Sequence, residues 1–66
     1  MLTQAYRDTR IRQLRNRASV TRVKIEELEN KQALRWTFPR NDKLYNLRIA
    51  QSAIWCEIDM LEHPAN

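Results

Sequence analysis

The run RDTRIRQLRNR at positions 7–17 places Arg7, Arg10, Arg12, Arg15 and Arg17 within about three helical turns. A guanidinium is a planar fork of donors that matches phosphate or carboxylate oxygens, so this spacing suits contact with a nucleic-acid backbone or an acidic partner. It equally suits the solvated, ion-paired face of an amphipathic helix. Glycine is absent from the chain, so no phosphate-cradling loop accompanies the arginines, and neither zinc-finger spacing nor an RNP sequence is present. Other reactive types are sparse. Cys56 and His63 lie seven residues apart, too far for a metal pair on one helix, and His63 near the chain end is a poor base for a Cys56 nucleophile. Ser19, Ser52 and the carboxylates form no acid–base or nucleophilic constellation. No catalytic, cofactor-binding or metal-ligating residue is therefore expected, and no small-molecule substrate. Trp36, Phe38, Tyr45 and Trp55 have faces that can stack on bases or close the ends of a small helical core.

These side chains need helices to position them. With no glycine and only Pro39 and Pro64, the tight hairpins of small β-domains have almost no suitable residues, whereas Leu, Arg, Glu, Gln and Ala favour helix. The fold class is all-α, an antiparallel helical hairpin forming a single domain over 1–66: helix 1 over about 4–36, a turn at 37–42, helix 2 over about 43–62 and a frayed tail at 63–66. Thr3 or Asp8 can cap the first helix, and Asn41 or Asp42 the second. Pro39 stops the first helix, because it lacks a backbone N–H and disfavours helical geometry at Phe38. Ile11, Leu14, Ala18, Thr21, Ile25, Leu28 and Gln32 give helix 1 one seam with 3,4 spacing.

Helix 2 has two apolar faces. Leu44, Leu47, Gln51, Ile54, Ile58 and Leu61 form one seam, while Tyr45, Ile49, Ala53, Cys56 and Met60 fall on the far side. The polar positions between them carry Arg48, Ser52 and Asp59 on one flank, and Asn46 and Glu57 on the other. One hairpin partner covers one face only, so the second is expected to meet a second copy or another helical protein, with dimerisation into a four-helix bundle as the leading arrangement. Folding the seams about a turn at 37–42 sets Gln51 near Leu28, Leu61 near Ala18, and Arg17 and Arg22 alongside Glu57 and Glu62. In that register the residues before about Asn16 overhang, taking Tyr6, Ile11 and Leu14 with them, and the arm either docks on a second subunit, the favoured arrangement, or breaks around Asn16 to Ser19 and folds back on helix 2.

Charge is divided along the chain. Residues 1–24 hold seven Arg and Lys against Asp8, residues 25–41 balance three against three, and residues 42–66 hold two against four. The ends attract, and each would oppose its own helix dipole if unpaired. A lone cysteine argues against a disulfide scaffold and for a cytoplasmic setting. No apolar run approaches the roughly 20 residues that span a bilayer, and the apolar face of the basic arm is thin, so no membrane partner is expected.

In size, helix count and seam spacing the chain resembles Rop, the plasmid copy-number family whose paired hairpins bind RNA loops; no matched motif carries residues over from it. The long first helix, short turn, Tyr45 and the run AQSAIWCEIDML are similar to the small hairpin co-chaperones of type III secretion needle subunits, from which the basic arm departs. The expected function is a small non-enzymatic protein-interaction module, an adaptor, regulator or co-chaperone acting through helical surfaces. The alternative is a nucleic-acid-binding regulator that uses the five arginines of the N-terminal arm.

Overall fold

A computed structural model describes residues 3–64 of the chain. It consists of two helices, α1 (Gln4–Leu34, 31 residues) and α2 (Phe38–Glu62, 25 residues), which turn back along each other as a hairpin with extents of 48 × 19 × 13 Å. Thr3 caps α1, its Oγ1 accepting from the Tyr6 N–H at 3.1 Å. Asp8 instead accepts from the Gln4 side chain one turn earlier.

Both inner seams lie where the 3,4 spacing puts them. Leu14 and Ala18 of α1 and Leu44 and Ile58 of α2 are buried, with Leu14 only 1% exposed. Ile11, Thr21, Ile25, Leu28 and Gln32 on one side, and Leu47, Gln51, Ile54 and Leu61 on the other, are half-buried along the same line. The periodicity dictates this, because residues three and four apart share a helix face and only that face of α1 carries a continuous apolar row.

The turn differs from the expectation in a consequential way. α1 ends at Leu34, and α2 begins at Phe38 with Pro39 in its first turn, so only Arg35, Trp36 and Thr37 connect them. Pro39 starts a helix here: a first-turn residue has no intrahelical acceptor for its N–H, so proline loses nothing there. The cap of α2 is Thr37, whose Oγ1 accepts from the Arg40 N–H, and not Asn41 or Asp42. Gln32 clasps the turn: its Nε2 donates to the Thr37 carbonyl at 3.1 Å and its Oε1 accepts from the Thr37 N–H at 2.9 Å. The Arg40 guanidinium adds donors to the Lys31 and Arg35 carbonyls at the open end of α1.

Shortening the turn slides the pairing. The Gln51 side chain donates to the Ala18 carbonyl at 3.0 Å, where the longer turn had set Gln51 against Leu28. α1 is continuous through Asn16–Ser19, and Leu14, expected to overhang, is the most buried of the described side chains. At about 1.5 Å per residue the helices are roughly 46 and 37 Å long, so the overhang shrinks to the first two turns of α1, where Tyr6 stays exposed.

Candidate interaction surface

Because α2 starts five residues earlier than the expected position 43, its outer stripe is longer than the sequence suggested. Tyr45, Ile49, Ala53, Cys56 and Met60 are all exposed, and Phe38 joins their row at the N-terminal end. Phe38 is 75% exposed, Tyr45 65% and Met60 71%, values at which a large apolar side chain retains most of its contact with water. At about 100° per residue this stripe lies almost diametrically opposite the buried Leu44–Ile58 seam and extends about 33 Å along the helix. Helix α1 covers the inner face only.

The flanks of the stripe are polar. Arg48 forms an ion pair with Glu29 of α1 at 2.9 Å. Asp59, eleven residues on and on the same flank, makes no ion pair among the described residues. Glu57, on the other flank, turns inward to Arg10 at 3.1 Å.

The structure divides the five arginines of the N-terminal arm. Arg10 pairs with Glu57 and Arg15 with Glu62, which places cations from the start of α1 against carboxylates from the end of α2 and relieves both helix dipoles together. These pairs replace the Arg17 and Arg22 pairing expected from the longer turn; Arg22 instead reaches Glu26 within α1. Arg7 is half-buried at the seam, while Arg12 and Arg17 are exposed on different sides of the helix. The arm therefore offers no single arginine face.

The aromatic side chains lie outside the core. Trp36 and Phe38 meet edge to face at the turn, centroids 4.5 Å apart and planes at 80°, and Leu34 beside them is 89% exposed. Trp55, also exposed, borders an open groove of about 330 Å³ with Arg15, Ser19, Arg22 and Gln51. The expectation that aromatics close the core ends fails because the three-residue turn pulls Thr37 and Gln32 inward and leaves Trp36 and Phe38 outside. The sequence signal for this was Thr37 two residues before Pro39, a cap followed by a first-turn proline.

Cys56 is exposed and carries a free thiol. Among the described residues no group of three or more His, Cys, Asp or Glu side chains is gathered in a metal-holding cluster. None of the described helices is long and apolar enough to cross a membrane. Comparison with family models, curated proteins and solved structures gives no match for this chain, so its functional reading rests on the geometry of its own residues.

Proposed function

We propose that the protein is a small interaction module that works by presenting the outer face of α2 to another helical surface, and not by catalysis. The observation that carries this reading is the exposed row Phe38, Tyr45, Ile49, Ala53, Cys56 and Met60 on a helix whose opposite face is already covered. A continuous apolar stripe of this length on so small a chain is a surface that association would remove from water. Small Ala53 and Cys56 at mid-stripe let a second helix approach closely, and the larger side chains at either end provide anchoring area.

The test is a photo-crosslinking residue placed at Tyr45, with the same residue at Val23 on the far side of α1 as control. Tyr45 is expected to give discrete adducts and Val23 none. Equal labelling from both positions, or none from either, removes the stripe as an interaction surface.

A nucleic-acid-binding role draws on the surplus of cations in the first 24 residues. Two of its five arginines, Arg10 and Arg15, already serve α2, so the reading rests on Arg7, Arg12 and Arg17. Its measure is the salt dependence of binding to an RNA or DNA duplex.

A further inference from the structure

Resting on that reading of the α2 face, we propose that its occupant is a second copy of this chain, laid antiparallel, with Arg48 of each copy against Asp59 of the other. Arg48 and Asp59 lie eleven residues apart, close to three full turns, and so share one flank of the stripe. They are equidistant from a point between Ala53 and Ile54. A two-fold axis crossing the helix there brings each arginine to the other copy's aspartate, twice over. A parallel copy would instead set this flank against the opposite one, which carries Asn46 and Glu57, so Arg48 and Asp59 would no longer face each other across the contact.

The structure leaves both groups able to do this. Asp59 makes no ion pair among the described residues. Arg48 holds Glu29 through Nη2 at 2.9 Å, and its other donors, which bond to nothing among the described residues, can bind a second carboxylate. These exposed pairs choose the orientation, while the stripe itself supplies the affinity. The same register brings Tyr45 to within two residues, about 3 Å, of the level of Met60, a ring near a thioether, and Ile49 equally close to Cys56, large near small. Ser52 and Ala53 fall at the crossing, where the backbones come nearest.

The area is of the right size. The chain exposes 5497 Å², whereas a compact monomer of 8.0 kDa exposes about 4,450 Å². The surplus of roughly 1,000 Å² compares with the approximately 800 Å² that each partner contributes to a stable interface. The two faces of α2 are nearly opposite each other, so the assembly is one flat layer of four helices in the order α1, α2, α2, α1. A closed square bundle would need the contact faces about a quarter-turn apart.

Single-cysteine chains test the arrangement, in a Cys56→Ser background with helicity checked by circular dichroism. Ala53→Cys is expected to form a disulfide-linked dimer under mild oxidation. Met60→Cys is not, because its two copies would lie about 20 Å apart along the helices. Mixing Met60→Cys with Tyr45→Cys should produce the mixed dimer. Asp59→Arg should weaken self-association on the order of tenfold, and mixing it with Arg48→Asp should restore it. Ready self-linking of Met60→Cys, or unchanged association of Asp59→Arg, overturns the antiparallel copy but leaves the stripe as an interface. A chain that sediments as a monomer at hundreds of micromolar overturns the second copy; adducts from Tyr45 to a different protein would then show the face in use by another partner.

Discussion

Arg10 Nη2 lies 3.1 Å from Glu57 Oε1, where the seam spacing and a six-residue turn would have brought Arg22. Arg15 reaches Glu62, where the same turn would have brought Arg17, so both partners come from nearer the N-terminus than expected. A common cause links the two. Moving the midpoint of the turn by about half a heptad shifts the pairing between antiparallel helices by a whole one, and a heptad seam buries the same faces after such a slip. The ion pairs and the core thus report a register that the turn sets.

The first prediction concerns that register. Leu14→Ala should destabilise the hairpin by about 2–5 kcal/mol, as expected for a fully buried leucine, and in so small a domain should depress the thermal midpoint severely. Circular dichroism melts check it. Had Leu14 overhung, the same change would cost little.

The second concerns the clasp. Gln32→Ala removes both hydrogen bonds to Thr37 and a contact from Arg40, and should cost about 1–3 kcal/mol in urea unfolding. Thr37→Ala, which deletes only the cap, should cost about 0.5–2 kcal/mol. Equal stability of wild type and Gln32→Ala would show that the turn is held by something else.

The third is electrostatic. Arg10 and Glu57 are partly exposed, at 28% and 45%, so a double-mutant cycle with Arg10→Ala and Glu57→Ala should give a coupling of only about 0.2–1 kcal/mol, shrinking as salt is raised. A coupling that ignores salt argues against a solvent-screened pair.

The fourth separates surface from core. Met60→Glu should abolish association at concentrations where the wild type assembles, while leaving hairpin helicity within a few per cent, because the side chain is exposed. Sedimentation and far-UV circular dichroism on the same samples decide it. Loss of helicity together with association would place Met60 in the core.

The fifth addresses nucleic acid. With Arg10 and Arg15 engaged by α2, the five arginines of the arm should supply about three phosphate contacts, through Arg7, Arg12 and Arg17, and replacing these three together should flatten the slope of log K against log salt by roughly 3. A flattening nearer roughly 5 when all five are replaced would mean that the ion pairs open and the whole arm binds.

The amino-acid order alone determined a good deal. Helix-forming composition without glycine excluded sheet hairpins. The 3,4 spacing of Leu14, Ala18, Leu44 and Ile58 named the buried faces, Thr3 and Asp8 were the two candidates for the first cap, and Tyr45 to Met60 formed a second apolar stripe on the far side of α2. Only the tertiary structure chose among heptads, because a repeating seam looks alike after a seven-residue slip and the choice falls to hydrogen bonds from Gln32, Thr37 and Arg40 around a three-residue turn. That choice made Pro39 a helix starter, buried Leu14, gave Arg10 and Arg15 their carboxylates, and left Trp36 and Phe38 in solvent.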